Sequence, residues 1–168
     1  MASALRLLFL LCGISGLLTG VWSYPMTYSK NINCPQDWTQ LDCKCYIYQD
    51  EARTFVDAEA VCNILGGNLV SIHNILENAV VLQLLRAGGN SIAVWTGLHD
   101  AIEDGDYIWT DGSEEDFRNF DSNASPPEPN SGTGNCVELD ETDGLWQTAV
   151  CTTENVYVCI MDVYHTRV

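Results

Sequence analysis

The hydrophobic pattern in the first half of the chain is helical. Over residues 55–65, apolar residues recur at spacings of three and four positions, so they share one face of an amphipathic helix that includes Cys62. Thr54 stands in front of this segment as a candidate N-cap. Gly66 and Gly67 follow it as a helix end.

A second helical segment comes after it. Asn74 and Glu77, three positions apart, resemble a capping box in front of an apolar run, and Gly88 and Gly89 end that run. The pattern therefore predicts two amphipathic helices before residue 90.

Beyond the second helix, the helical period gives way to short runs rich in β-branched and aromatic residues, which are typical of strands. The predicted strands, including two within the helical half, are residues 45–48, 68–72, 93–98, 107–110, 136–139, 145–150 and 156–160. Two helices followed mostly by strands indicate a single α+β domain.

One long segment shows neither the helical spacing of apolar residues nor the pattern of a strand. Residues 112–134 are rich in Ser, Asp, Asn, Pro and Gly, and Phe117 and Phe120 are almost their only apolar side chains. A loop of this length inside a compact domain is usually functional or disordered, so we look for the functional site here.

The N-terminal residues 1–23 have the pattern of a secretory signal peptide. Arg6 precedes an apolar run over residues 7–18, and small or β-branched residues precede a cleavage position after Ser23. The run is too short for a membrane anchor, which needs ~20 residues. We therefore predict a secreted, extracellular protein with no membrane span. Its parts are a leader (24–33), a folded domain (34–162) and a tail (163–168).

The charge balance narrows the class of partner. The 168 residues carry a formal net charge of −16, and removing Arg6 with the signal peptide makes it −17. A chain this acidic repels nucleic acid, so we exclude nucleic acid as a partner.

Secretion also decides how the cysteines are interpreted. Of eight cysteines, Cys12 is lost with the signal peptide, and the remaining seven leave one thiol without an intramolecular partner. The close pair Cys43 and Cys45 lacks the histidine or second cysteine pair of a zinc site. In an oxidising compartment we therefore predict disulfides.

The order of short motifs resembles the C-type lectin-like domain, in particular the short secreted lectins and type II antifreeze relatives of fish. The resemblance spans residues 34–160. The motifs that carry it are Cys34-Pro35 with Trp38, Cys45-Tyr46, Gly66 to His73, Trp95-Thr96-Gly97-Leu98, Trp109-Thr110-Asp111-Gly112, Glu128-Pro129-Asn130, Cys136, Trp146, Cys151 and Cys159. It implies two helices, antiparallel strands, disulfide staples and a long ligand-binding loop. We expect the tryptophans to be core residues.

The resemblance also implies the disulfide pairing. The implied pairs are Cys34–Cys45, Cys62–Cys159 and Cys136–Cys151. Cys43 is then the unpaired residue, and we expect it to share one strand face with Cys45. Two outcomes stay open for Cys43: a free or capped thiol, or a disulfide-linked homodimer.

In sugar-binding members of this family, a calcium ion held at the Glu-Pro-Asn motif binds two sugar hydroxyls. Here Glu128 and Asn130 match that motif, but Gly134, Gln147 and Thr148 stand where a glutamate, an asparagine and an aspartate are implied. With two carboxylates missing, we expect at most weak calcium binding.

Two further expectations concern calcium. Glu138, or another neighbouring acid, is the candidate additional ligand, and placing acids at positions 134 and 148 with an asparagine at 147 should tighten binding. A second calcium position of some relatives has Asp100 and Asp104 here, but Ser131 and Asn135 fall at its later ligands, so we expect it to be incomplete.

Other motifs add one modification site and exclude catalysis. Asn123-Ala124-Ser125 is a candidate N-glycosylation site. The histidines His73, His99 and His165 accompany no nucleophile motif, and no phosphate-binding loop is present, so we predict that the chain is not an enzyme.

Two functions follow from this pattern. The first is a secreted lectin of the innate-immune type that binds glycans through Glu128, Asn130, Gln147 and Thr148, with weak calcium dependence. The second is a lectin-like module without calcium-dependent sugar binding that binds ice, mineral or protein.

Overall fold

The computed structural model describes residues 33–89, 92–130 and 132–163. The predicted signal peptide, all but the last residue of the leader, and residues 164–168 lie outside them. The two helices are α1 (Phe55–Ile64) and α2 (Ile75–Gly88). The strands are β1 (Thr39–Leu41), β2 (Lys44–Arg53), β3 (Asn68–Leu69), β4 (Ala93–His99), β5 (Ile108–Trp109), β6 (Cys136–Asp140), β7 (Trp146–Ala149) and β8 (Asn155–Asp162).

Both predicted helices are present with their predicted caps. Thr54 accepts a hydrogen bond from the backbone N–H of Asp57 at the start of α1. Asn74 Oδ1 accepts from two backbone N–H groups in the first turn of α2, at 2.9 and 3.0 Å. Gly89 ends α2 with a φ of 76°, a conformation that glycine adopts without steric cost.

The strands form one mixed sheet in the order β1-β2-β8-β4-β6-β7, with β3 added to β8 and β5 to β4. All pairs are antiparallel except β4 with β8, which run parallel with Val94 opposite Val156. The prediction of antiparallel strands therefore misses this pair, whose two strands are far apart in sequence and are joined through β5, the long loop and the β6–β7 hairpin.

The core is built around aromatic side chains. Trp95, Trp109 and Trp146 are at most 2 % exposed, which confirms the prediction that they are core residues. The same prediction for Trp38 holds only in part, because Trp38 is partly buried and packs against the core from outside. The rings of Trp109 and Trp146 meet edge to face at 5.7 Å. This arrangement is favourable for aromatic quadrupoles and fixes the relative position of β5 and β7.

Three disulfides cross-link the domain. Cys62–Cys159 joins α1 to β8 across 97 residues of sequence, Cys136–Cys151 spans 15 residues beside the long loop, and Cys34–Cys45 closes the N-terminal hairpin. These are the pairs that the resemblance implies.

The N-terminal hairpin differs from its prediction. Strand β1, which the pattern did not predict, pairs with β2 with Leu41 opposite Lys44. Asp42 and Cys43 form the turn between them, and Cys43 is exposed and unpaired. The expectation that Cys43 shares a strand face with Cys45 is wrong, because Asp42 adopts a positive φ of 50° and ends the strand before Cys43.

Candidate functional site

The long loop is anchored to the core at Trp146, the first residue of β7. Phe117 and Phe120 pack edge to face on the Trp146 ring, at 5.7 and 5.6 Å. The indole N–H donates to Oδ1 of the buried Asn78 on α2, at 2.7 Å. The two apolar residues of the loop therefore fasten it to the residue beside the site.

At the site itself, Thr148 bonds directly to Glu128. The Thr148 hydroxyl lies 2.6 Å from Glu128 Oε2, and the backbone N–H groups of Thr148 and Asn130 donate to the same oxygen at 3.1 and 2.9 Å. The peptide bond between Glu128 and Pro129 is cis. Protein donors thus saturate one carboxylate oxygen of the Glu-Pro-Asn motif.

Thr133 completes this arrangement, and no sequence pattern pointed to it. Its hydroxyl contacts the Thr148 hydroxyl and donates to the Asn130 carbonyl at 2.7 Å. The Thr148 hydroxyl also lies 2.8 Å from that carbonyl. We call Glu128, Asn130, Thr133 and Thr148 the Glu128 network.

The Glu128 network leaves two polar atoms without a partner in the described part of the chain. Glu128 Oε1 accepts no hydrogen bond there, and Asn130 Nδ2 donates none, since the Asn130 Oδ1 is the atom that accepts from Gly132 N. One free acceptor and one free donor therefore lie on residues two positions apart, and both residues are partly exposed.

The other two predicted residues form a separate group. Gln147 donates to Glu138 Oε1 at 3.1 Å, and Asn155 donates to the second Glu138 oxygen. Burial raises the pKa of Glu138, and the two amide donors oppose that rise. As a calcium ligand beside Glu128, Glu138 would have to lose these bonds.

Gly134 occupies the position of an implied glutamate and has no room for one. Its φ is 154°, and a Cβ there would lie 2.0 Å from the Ala149 carbonyl oxygen and 2.5 Å from the Val150 nitrogen. Both atoms belong to backbone, so they cannot rotate away. The expectation that glutamate at position 134 would simply complete a calcium site is therefore wrong.

These side chains do not fit a calcium ion at the Glu-Pro-Asn motif. Calcium needs six to eight oxygens, whereas Glu128 Oε2 already accepts three hydrogen bonds and position 134 supplies no oxygen from a side chain. Across residues 33–89, 92–130 and 132–163, no group of three or more His, Cys, Asp or Glu side chains is arranged to hold a metal.

The second calcium position is occupied by an amide. Asn135 Nδ2 donates to Oδ1 of both Asp100 and Asp104, at 3.0 and 3.1 Å. Asp100 is 1 % exposed, and its other oxygen accepts from the backbone N–H of Gly105. An N–H group thus stands between the two carboxylates, and Ser131 lies outside the described residues.

Asn123, the candidate glycosylation residue, is exposed on the long loop. Its backbone N–H donates to Asp121 Oδ1 at 2.9 Å, so the loop backbone is held while the side chain makes no hydrogen bond within the described residues. This position is compatible with modification.

Comparisons with known proteins identify the family of this chain. The model of the Lectin C-type domain matches residues 51–161. The galactose-specific lectin nattectin of Thalassophryne nattereri is 28% identical over 153 residues, covering 90% of this chain and 91% of nattectin. The C-type lectin LmsL of Lachesis stenophrys is 35% identical over 132 residues, covering 76% and 96% of the two chains.

One solved structure with this fold is of a protein described as calcium-independent. A calcium-independent type II antifreeze protein superposes with a TM-score of 0.69 at 25% sequence identity, over 79% of this chain and 96% of that one.

The matches are to binding proteins, which confirms that the chain is not an enzyme. In the described residues no helix is long and apolar enough to cross a membrane. The family model and these relatives together show that the chain belongs to the C-type lectin domain family.

Proposed function

We propose that this protein is a secreted lectin that binds carbohydrate hydroxyl groups directly at Glu128 and Asn130, without calcium. The observation that carries the proposal is the hydrogen bond from the Thr148 hydroxyl to Glu128 Oε2. This bond holds the Glu-Pro-Asn motif in a defined geometry with protein donors alone. It leaves Glu128 Oε1 and Asn130 Nδ2 for a ligand.

The two free atoms suit a sugar diol. Each sugar hydroxyl both donates and accepts, a carboxylate oxygen only accepts, and an amide NH₂ only donates. One hydroxyl can donate to Glu128 Oε1 in a charge-assisted bond while its neighbour accepts from Asn130 Nδ2. Gln147, whose side chain is partly exposed beside Thr148, offers a further carbonyl oxygen at the edge of this site.

The extracellular setting rests on the signal-peptide pattern and on the disulfides. Three disulfides in a domain of this size are typical of oxidising compartments. The net charge of −17 keeps such a protein soluble outside the cell. A secreted glycan-binding domain of this kind would serve innate-immune recognition of microbial or self glycans.

A second candidate function follows from the structural neighbour. The antifreeze protein that superposes on this chain is described as calcium-independent. The Glu128 network likewise needs no ion. The loop surface would then bind ice, mineral or protein through hydroxyl and amide groups rather than sugar.

Adsorption to immobilised sugars separates these functions. We expect wild type to bind mannose– or galactose–agarose equally in calcium and in a chelator. Asn130→Asp, which removes the donor at nearly constant shape, should lose most of that binding. Gln83→Glu, the same amide-to-acid change at an exposed residue of α2, is the matched control and should retain it.

Three results would overturn the sugar proposal. They are loss of binding in the chelator, binding by Asn130→Asp equal to wild type, or no binding to either resin. In the third case, inhibition of ice recrystallisation by wild type would favour the second function.

A further inference from the structure

A pocket with mostly apolar walls lies where the start of α1 meets the end of β4. Its volume of about 320 Å³ falls at the small end of the range of small-molecule sites, roughly 300–1,000 Å³. Phe55 and Val56 of α1, Ala101 and the Cys136–Cys151 disulfide supply the apolar wall. None of these residues belongs to the Glu128 network, so the pocket is a separate feature of the domain.

Two polar atoms of residues that line this pocket have no hydrogen-bond partner in the described part of the chain. They are Nδ1 of His99 and Oγ1 of Thr110, and both atoms are buried. A buried polar group without a partner costs free energy, and most buried polar groups in proteins are hydrogen-bonded. The two atoms therefore mark the part of the pocket where a polar group of a ligand would bond.

The sheet brings these two side chains together. Thr110 donates its backbone N–H to the Gly97 carbonyl at 3.0 Å, and its hydroxyl lies 2.7 Å from where a Cβ of Gly97 would be. On the same strand, β4, the rings of His99 and Trp95 both contact Phe55 edge to face, at 5.6 and 5.8 Å. Positions 95, 97 and 99 of a strand share one face, so His99 and Thr110 lie on the face that α1 covers.

The charge state of His99 restricts the ligand further. Burial lowers the pKa of His99 below its ordinary value of 6.5, although the charges of Asp100 and Glu59 oppose that shift. The imidazole is therefore neutral at neutral pH, and Nδ1 accepts or donates according to the tautomer. A neutral imidazole does not attract an anion, and the Glu59 carboxylate on the pocket wall repels one.

Three exposed apolar side chains belong to the segments that form the pocket. Val56, on the pocket wall, is largely exposed. Ile102 follows the wall residue Ala101 and is also largely exposed. Val150 precedes Cys151 and is exposed as well. Grouped exposed apolar side chains are typical of ligand contacts, so these segments favour an occupant that is itself apolar.

We propose that this pocket binds a small neutral alcohol or phenol, in which one hydroxyl is carried on an apolar ring or short chain. A hydroxyl both donates and accepts, so it suits His99 Nδ1 in either tautomer and Thr110 Oγ1 as well. The apolar part would lie against Phe55 and the disulfide, where a charged group would lose its hydration. The proposal is independent of sugar binding at Glu128.

Calorimetric titration of the full secreted chain with three matched ligands tests the proposal. The ligands are para-propylphenol, para-propylanisole, in which a methyl group replaces the hydroxyl proton, and para-propylbenzoate, in which a carboxylate replaces the hydroxyl. We expect the phenol to bind with one molecule per chain. The anisole should bind about three- to tenfold more weakly, the range of one neutral hydrogen bond, and the benzoate more weakly still.

Two variants locate the binding in this pocket. Thr110→Val keeps the side-chain shape and removes the hydroxyl, and His99→Phe keeps a ring against Phe55 and removes Nδ1. Each should weaken phenol binding about three- to tenfold. Thr142→Val, the same change at an exposed threonine between β6 and β7, is the matched control and should bind as wild type does. Circular dichroism checks that each variant folds.

Three results would overturn the proposal. They are no binding of the phenol, equal affinity for the phenol and the anisole, or phenol binding by both pocket variants equal to wild type. The first result would mean that water alone satisfies His99 Nδ1 and Thr110 Oγ1. The comparison of ligands uses wild type only, so it decides the proposal even where a variant fails to fold.

Discussion

The scaffold and the long loop of this protein are specified by different numbers of interactions. In the scaffold, Trp95 is fully buried, donates its indole N–H to the Arg53 carbonyl, and packs edge to face with Phe55, so several contacts fix one residue. At the loop site, Glu128 Oε2 accepts from two backbone N–H groups and, among the described residues, from one side chain, that of Thr148. Substitutions at one or two positions can therefore change the site while the fold stays constant.

Protein donors bond to the Glu-Pro-Asn motif without any disturbance of the scaffold. Thr148 is 6 % exposed on β7 and satisfies Glu128 Oε2 by both its hydroxyl and its backbone N–H. Buried polar groups cost little when they are hydrogen-bonded. The domain thus keeps a stable loop in which protein donors bond the carboxylate oxygen.

The largest expected effect is on the scaffold. Replacing both Cys62 and Cys159 by alanine removes the bridge across 97 residues, which the chain-entropy model values at about 4 to 5 kcal/mol. We expect a loss of about 2–5 kcal/mol in the free energy of unfolding and little secretion. Removing the 15-residue Cys136–Cys151 bridge is the comparison, with a smaller loss expected. Normal secretion and stability of the first variant would contradict this account of the scaffold.

The next effect tests the crowding at position 134. Gly134→Ala places a Cβ against the Ala149 carbonyl and should lower stability by about 1–3 kcal/mol, measured by chemical denaturation. Gly112→Ala is the matched control. Its φ of 74° carries backbone strain, but no atom lies within 4 Å of the added Cβ, so it should cost less. Equal losses would show that crowding at Ala149 contributes nothing.

A third effect breaks the contact between scaffold and loop. Asn78→Ala leaves the buried indole N–H of Trp146 without an acceptor, and we expect a cost of about 1–3 kcal/mol by thermal or chemical unfolding. Gln83→Ala, at an exposed residue of the same helix α2, should change stability by less than about 0.5 kcal/mol. If the two variants were equally stable, Asn78 would not anchor the loop.

The smallest effect concerns pH. Burial raises the pKa of Glu138 above its ordinary value of 4.5, so the folded state holds a proton that the unfolded state has already lost. Stability from this group is therefore present below pH 4.5 and is lost as pH rises through the raised pKa. Glu138→Gln should flatten the decrease of the free energy of unfolding with pH. The change should be smaller than the stability lost in Asn78→Ala, and unfolding curves recorded across pH measure it. An unchanged pH profile would contradict a raised pKa.

The scaffold is predictable from the sequence because many independent signals agree there. The cap at Thr54, the glycine end at Gly89 and the order of the tryptophan motifs each restrict the same fold. Strand β1 was missed because its three residues carry too short a pattern, and its pairing with β2 comes from the turn at Asp42.

The loop site was predicted only in part. The sequence identified Glu128, Asn130 and Thr148 as a group, but the bond from the Thr148 hydroxyl to Glu128 depends on loop geometry. No sequence pattern marks Thr133 or Asn155 as a site residue, since single threonines and asparagines are common along the chain. The obstacle at Gly134 depends on the backbone of β7, which no local pattern reveals.

Calorimetric titration of the secreted protein with calcium tests the central claim most directly. Because Glu128 Oε2 bonds to Thr148 and positions 134 and 148 provide no carboxylate, we predict no binding tighter than roughly the millimolar range of weak extracellular modules. The Gln147→Asn, Thr148→Asp double variant, which replaces the hydroxyl by a carboxylate and leaves Gly134 in place, should bind more tightly. A micromolar calcium site in wild type would contradict the account.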